Sequence, residues 1–432
     1  MTETDRSLAE DPRTIIRGGI ESRGGDAPMA KLPQVTRFNF GETSRFTVQV
    51  VADWRDLEPL RPQWEELAEN ALEPSPFAEN WMLIPALRYG LPGDAARVAL
   101  VFASDTAFPS HDAVLCGVFP IEEKARFRGL PTRVVRIWSH IYSVGSDPLV
   151  RRECAPACIR AFIDWARAEQ PAQTLIHFPE LRVDSKFFEL LIKTLRQDGR
   201  NYSIVDVWKR AMFQPKADAQ QYIQSIGTAH HRHEWRRQER RLSEKGAITF
   251  DSLDSVENVQ PWLDEFIALE MRGWKGKQGT AFGCGAGHRA WLVDVVRDAF
   301  ERRRLMMLAL RLDDKAIAMR LSFLAHPGSF AFKIAFDESL LKFSPGVLLE
   351  LENIRRLHTM PEIEWMDSLA APNHPLMDRV WKGRAAFVSL LVAPGPWLGQ
   401  ILLASIPLLQ TLKRLCARRP QDADVHPQQR SE

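Results

Sequence analysis

The chain has 432 residues, 45% hydrophobic and 26% charged, with a formal net charge of +2. That length exceeds one ordinary core and points to two domains. The near-zero charge excludes a protein-wide polyanion-binding surface, so any basic function must come from local clusters.

The N-terminal stretch carries no apolar segment of the kind a secretory leader needs, and no apolar run reaches the length of about 18–20 residues that spans a bilayer. Five cysteines are scattered without a CxxC. A cytoplasmic, reducing compartment is expected. Residues 1–45 are rich in Gly, Asp, Arg and Ser and lack periodicity, so a disordered tail is expected there and again at 420–432.

The first folded part is read over 46–213. VQVVADW opens it, followed by a helix carrying Leu57, Leu60, Trp64 and Leu67 and a second helix over 80–90. RVALVFAS, AVLCGVFPIEE and RVVRIWSHI read as strands. A loop (YSVGSDPLV), a helix (154–169), a strand (174–181), a helix (185–199) and a strand (202–213) complete it. The second part is read over 219–393, with helices at 219–245, 260–274 and 288–303. Strands follow at 305–314, 316–326 and 329–337, then a helix from 346, a strand at 362–369, a helical turn and a strand at 385–393.

Both parts read helices, then β-β-β-loop-α-β-α-β. The match suggests duplication of one α/β unit, with 146–150 paired to 344–348. The order strand, helix, strand makes a crossover, so each sheet is mixed and mostly antiparallel, with flanking helices.

Ser344-Pro345-Gly346 lies between strand and helix. Ser is a good N-cap and Pro a good first helical residue, so capping alone accounts for it. The same terminus, with Gly allowing close approach, also suits an anion such as a pyrophosphate. In this order the strands 330–336 and 362–369 are neighbours, and a ligand there would occupy the crevice usual to α/β sheets. Lys333, Asp337 and Asp367 come from those strands or their ends. Lys333 alternates with Phe332 and Ile334 and is expected to face opposite to both.

These stretches resemble the GNAT-type acetyltransferase domain of the CelD-like (cellulose and exopolysaccharide biosynthesis) proteins, also called BioF2-like. The resemblance rests on HRHEWRRQERRLSEKG, the WKGKQGTAF loop, KIAFDESLLKFSPGVLLELENIRRL and EWMDSL, together about 219–385. It implies tandem GNAT-like units and acyl transfer from acetyl-CoA or another acyl-CoA to an amine or hydroxyl, such as a glycan precursor. The second unit would be active and the first without cofactor, since Asp147 stands where an anion would be repelled. The pyrophosphate would rest on Ser344, Pro345, Gly346 and Val347, and the pantetheine between the two strands. Asp367 is the expected base, with Asp337 second and Lys333 beside them; Asp378 and His374 are weaker candidates. The family's usual Gly-Glu-x-x-Tyr-Lys ending is replaced by DSLAAPNHPLMDRVWKGR, with Trp381 near the expected Tyr.

Arg236 and Arg240 share one face of the basic helix and suit an anionic substrate. Trp274 and Lys275 open a glycine-rich loop without phosphate-cradle spacing, read either as a mobile cover over the acceptor or as a linker. His230, His231 and His233 have no partner at ligand spacing, so no metal is expected. Residues 394–419 read as an amphipathic helix, either packed on the domain or lying on the membrane through 397–419. Two other readings stay open. One is a FemABX-like transferase using aminoacyl-tRNA, the only case in which nucleic acid is expected. The other is a silent GNAT-fold scaffold in an exopolysaccharide assembly.

Overall fold

The computed structural model describes residues 40, 44–91, 96–105, 112–129, 132–143, 145, 147–169, 174–215, 218–395 and 403. Residues 1–39 are a separate unit and lie outside this set, as do the 420–432 tail and all of 396–419 except Leu403. Leu403 is buried with Phe127, Val134, Leu175 and Leu391. No described helix is long and apolar enough to cross a membrane.

The first half contains β1 (Arg45–Val51), α1 (Arg61–Glu69), α2 (Asn80–Arg88), β2 (Arg97–Ser104), β3 (Val114–Lys124), β4 (Val134–Ile137), β5 (Leu149–Val150), α3 (Ala155–Glu169), β6 (Leu175–Arg182), α4 (Lys186–Gln197) and β7 (Tyr202–Phe213). The second half contains α5 (Ala219–Ser225), α6 (Ala229–Ser243), β8 (Ile248–Ser252), α7 (Val259–Arg272), α8 (Trp274–Lys277), α9 (Ala286–Glu301), β9 (Leu305–Leu312), β10 (Lys315–Ala325), β11 (Gly328–Phe336), α10 (Pro345–His358), β12 (Trp365–Asp367), α11 (Met377–Val380) and β13 (Gly383–Val392).

Local chemistry sets many of these boundaries. Ser185 accepts the Phe188 N–H at the start of α4, and Thr228 forms a capping box with His231 at the start of α6. α4 turns Phe187, Leu191 and Leu195 inward at helical spacing. α10 is buried along most of its length, which fits its run of Val347, Leu348, Leu349 and Leu351.

All described strands join one mixed sheet in the order β1-β2-β3-β4-β6-β13-β7-β12-β11-β10-β9-β8, with β5 on β3. The pairs β4–β6 and β11–β12 are parallel and the rest antiparallel. The halves exchange their last strands. β7 lies against β12, β13 lies against β6, and the two pair with each other along most of their length. Gly383 is needed at this seam, because a Cβ there would sit 2.4 Å from the Met212 carbonyl oxygen. Buried Arg210 ties the halves together, donating to Asp367 Oδ2 at 2.6 Å and to Glu180 Oε1 at 2.5 Å.

A bulge interrupts β11. Phe330 pairs with Phe323 and Lys333 with Leu321, so β11 carries one extra residue across that interval. The period-2 expectation for Lys333 therefore fails. Its Nζ lies 5.8 Å from the Phe332 ring, on the same side of the sheet rather than the opposite one.

The first half treats the same place differently. β3 pairs with β4 up to Ile137, Trp138 N–H donates to Pro120 O, and β3 then meets Leu149 and Val150 of β5. The described residues of 139–148 lie outside the sheet between those points. The expected pairing of 146–150 with 344–348 is thus displaced. α3 begins at Ala155, so Cys154-Ala155-Pro156 is the first half's counterpart of Ser344-Pro345-Gly346.

Candidate functional site

β11 and β12 pair only at Gly328–Trp365, Ser329–Met366 and Phe330–Asp367. Beyond Phe330 the remaining length of β11 has β10 on one edge and no strand on the other. The bulge falls at this parting, and the extra residue of a bulge is left out of the ladder. Backbone polar groups at Ala331–Phe332 therefore stand where the sheet opens.

Lys333 lies just past the bulge. Its Nζ is 5.3 Å from the Tyr142 ring and 5.6 Å from the Phe282 ring, with Phe332 as a third neighbour. Among the described residues it has no hydrogen-bond or ion-pair partner. Burial, aided by the Lys275 charge and opposed by Glu270, lowers its pKa from 10.5 to about 8. Faces of aromatic rings attract an ammonium but offer it no hydrogen bonds.

Tyr142 belongs to the first half, on the excursion 139–148. It stacks on Trp291 at 4.9 Å, and its hydroxyl lies 2.9 Å from His288 Nδ1. Burial, then Glu270 and Cys284, raise its pKa. The excursion thus forms one wall of the second half's opening. Tyr142 was absent from the sequence expectations. The signal for it lies in matching the helix start at Ala155 to that at Pro345, which shows that the first half has extra residues after its third strand.

Trp274 and Lys275 sit on the far length of β11. Lys275 Nζ donates to Glu270 Oε1 at 3.0 Å and to the Ile334 carbonyl at 3.2 Å. Trp274 N–H donates to Glu338 Oε1 at 2.5 Å, and its side chain is exposed. Together with Gly273, Ile334, Ala335 and Phe336 they line a narrow crevice of about 20 Å³. This loop covers the side of the sheet opening that leads to α10.

At the start of α10, Ser344 is left-handed with φ 50° and makes no side-chain cap. Its N–H donates to Leu341 O, and its carbonyl accepts Val347 N–H at 2.9 Å and Leu348 N–H at 3.1 Å. Pro345 has no N–H. Of the four expected anion contacts, Gly346 alone keeps an N–H without a described partner. A Cβ at Gly346 would meet Phe336 at 3.4 Å, an ordinary contact, so packing does not require glycine here.

The other expected residues are placed differently. Asp367 is buried against Arg210, and its Oδ1 accepts the Leu369 N–H at 2.9 Å. Asp337 caps the 3-10 turn Glu338–Phe343, accepting from Ser339 N–H at 3.0 Å and from Ser339 Oγ at 2.6 Å, which lowers its pKa. Trp381 is fully buried and donates from Nε1 to Glu350 Oε1 at 2.8 Å, in a core network that also holds Arg320 and Asn353. It is a packing residue, because its indole has no surface toward the opening. Arg236 and Arg240 are exposed on α6, which packs on the turn Glu338–Phe343 through its buried face. Asp378 and His374 lie near α11, where Asp378 pairs with Arg384 at 3.3 Å and His374 Nδ1 accepts the Met377 N–H at 3.3 Å. No cluster of three or more His, Cys, Asp or Glu side chains is placed to hold a metal among the described residues.

Residues 229–378 match the family described as the acetyltransferase (GNAT) domain. The second half is thus similar to GNAT-type acetyltransferase domains. No curated protein matches the chain. Among solved structures it is similar to FemX, at 11% identity and TM-score 0.49, covering 82% of this chain and 98% of that one. It is also similar to the C-terminal domain of a putative lysylphosphatidylglycerol synthetase from Agrobacterium fabrum, at 13% identity and TM-score 0.45, covering 83% and 96%. A tandem GNAT protein from the clavulanic acid biosynthesis pathway aligns at 14% identity and TM-score 0.37, covering 82% and 99%.

Proposed function

We propose that the chain transfers an acyl group from an acyl-CoA to a nucleophilic acceptor, at the opening in its second half. The observation that carries this reading is the parting of β11 from β12 beyond Phe330 and Asp367. It coincides with the bulge, and Lys333 lies immediately past it. A flat, fully paired sheet would offer neither backbone donors nor room for a thioester.

The parts take the following roles. The pyrophosphate lies at the α10 N-terminus, where the Gly346 N–H and the helix dipole favour negative charge. The pantetheine runs along the open edge of β11 and takes the place of Lys275 on the Ile334 carbonyl. The thioester carbonyl sits at the bulge. The Lys333 ammonium and the unpaired backbone there stabilise the oxyanion as the acceptor attacks. Asp367, the expected base, has its carboxylate committed to Arg210 and is given no part in this step.

The first half supports rather than duplicates this site. Its N–H groups at Arg151 and Arg152 are bonded to Cys116 O and Asn70 O, and the Arg151 guanidinium is held by Glu66 and Leu115 O. These bonds, just ahead of α3, support reading the first half as the one without cofactor. An acceptor drawn from polysaccharide or envelope precursors follows from the CelD-like motifs alone. Calorimetric titration with acetyl-CoA tests the donor. The chain should bind it, and Gly346→Trp, which fills the α10 N-terminus, should abolish binding in a protein that still unfolds cooperatively, at some cost in melting temperature. Absence of binding by the unmodified chain at millimolar acetyl-CoA would sink the proposal.

A second reading, aminoacyl-tRNA as donor, is favoured by one observation: Arg236 and Arg240 stand exposed on α6 beside the turn that leads into α10. Binding of tRNA with a steep salt dependence, and no binding of acetyl-CoA, would select it.

A further inference from the structure

We infer that the acceptor, an amine, reaches the bulge through the cleft between the halves and gives a proton to Asp147 of the first half. This rests on the acyl-transfer reading above and adds the acceptor's route and the group that takes its proton.

The cleft encloses about 810 Å³. α1 and residues 71–81 of the first half line one side, and the turn 325–327 with Glu364 and Trp365 lines the other. A second cavity of about 50 Å³ shares Pro74 with it and is lined by Phe77, Trp138, Asp147 and Phe330. Phe330 is the last β11 residue paired to β12, adjoining the bulge. The cleft adjoins the small cavity at Pro74, and the small cavity reaches Phe330 beside the bulge, on the 325–327 side of β11. The crevice at Trp274 and the α10 N-terminus lies toward the other end. Donor and acceptor meet at the bulge from opposite ends of one strand.

Asp147 is the group in this path with unspent chemistry. Its side chain lines the small cavity, yet Oδ1 is covered from solvent and no donor reaches it. Ser75 Oγ donates to its backbone carbonyl at 2.5 Å and fixes the residue there. Four charged groups face it: Glu73, Glu180, Arg182 and Arg210. Both arginines are engaged elsewhere, Arg210 with Asp367 and Glu180, and Arg182 with Asp184 at 2.9 Å while lying over the Trp365 ring. Burial, then Glu73, push the Asp147 pKa well above the usual carboxylate range. A covered carboxyl without a dedicated cation costs free energy that an incoming ammonium recovers. A hydroxyl would bring a donor but no charge. The cleft's charges of both signs suit an amine on a hydrophilic body.

The step balances without a further reactant. An ammonium acceptor loses one proton to Asp147 and becomes a neutral amine. Its nitrogen attacks the thioester carbon, the C–N bond forms and the C–S bond breaks. The second proton lost from nitrogen protonates the departing thiolate. The products are an amide, free CoA thiol and one proton, which Asp147 returns to solvent.

The test compares the full chain with Asp147→Asn, an isosteric change that leaves the Ser75 bond in place. Glucosamine, ethanolamine and lysine serve as ammonium probes, and hydroxylamine as a nucleophile already neutral at pH 7. Calorimetry without CoA, in two buffers of different ionisation heat, should show at least one ammonium probe binding with proton release. Asp147→Asn should weaken that binding at least tenfold and remove the proton release. Thiol release from acetyl-CoA should fall on the order of 100-fold or more for the ammonium probe and stay within about threefold for hydroxylamine. Equal losses for both nucleophiles would overturn the inference. So would unchanged amine binding and transfer in Asp147→Asn, or no binding of any ammonium probe to the unmodified chain. Failure of acetyl-CoA to bind removes the donor reading alone, and the buffer-dependent amine binding still decides on Asp147.

Discussion

Replacing Lys333 with Met should stabilise the folded protein and abolish transfer, and the stabilisation should shrink as pH rises. The folded environment lowers the Lys333 pKa from 10.5 to about 8, chiefly through burial among Tyr142, Phe282 and Phe332. At about 1.4 kcal/mol per tenfold, the difference of about 2.5 corresponds to about 3 kcal/mol against folding at pH 7. Partial exposure of the side chain discounts this to about 2 kcal/mol. The sign follows from proton binding. Between pH 8 and 10.5 the unfolded chain holds the proton more tightly than the folded one, so folding gains stability with rising pH. Below pH 8 both states are protonated and the full cost remains; above 10.5 it is gone. Met keeps the length and apolar contacts but carries no charge. Urea unfolding at pH 7 and pH 9.5 should show Lys333→Met more stable by about 2 kcal/mol at the lower pH, with over half the advantage lost at the higher. Transfer from acetyl-CoA should fall by at least about 100-fold at pH 7. A variant destabilised equally at both pH values would refute the reasoning, because Lys333 would then be a packing residue without an electrostatic cost.

Arg210→Met should cost about 3–5 kcal/mol in urea unfolding, since it leaves Asp367 and Glu180 uncompensated at the strand exchange; a loss below about 1 kcal/mol would show that Arg210 does not hold the halves together. Gly346→Ala should raise stability by up to about 1 kcal/mol, because a Cβ fits there at 3.4 Å from Phe336 and Ala favours helix, while acetyl-CoA affinity falls. Unchanged affinity in that variant would show that the glycine is not kept for the ligand.

Much of the fold was readable because it rests on local periodicity. The apolar strands, the amphipathic helices and the Ser-Pro-Gly helix start all follow from residue spacing. β8 escaped, because its five residues are only half-buried and lack clean alternation. The site was less readable. Lys333 was found as a residue but assigned to the wrong side of the sheet, since one extra residue in a strand shifts the parity of everything after it. Asp367 read as a free strand-end carboxylate, yet its partner Arg210 lies 157 positions away in sequence. Trp381 was singled out because it falls near the Tyr of the family's usual ending, whereas the core beneath α10 supplies Glu350 to its indole. Arg320, inside the apolar run of β10, is buried for the same reason, paired to Glu350.

The sequence by itself determined two rounds of the same element order, a mixed sheet and the helix start at Ser344-Pro345-Gly346. Those properties depend on residues within a turn or two of each other. Only the tertiary structure decided that the halves exchange their last strands and that the excursion 139–148 delivers Tyr142 and Asp147 to the neighbouring half. Strand exchange adds no local signature, because β7 and β13 bury the same faces whichever half they join. The excursion's destination depends on a shared core, in which Tyr142 and Trp138 pack with Trp291, Phe282 and Phe332 of the other half. Packing across such separations leaves no period in the chain to read.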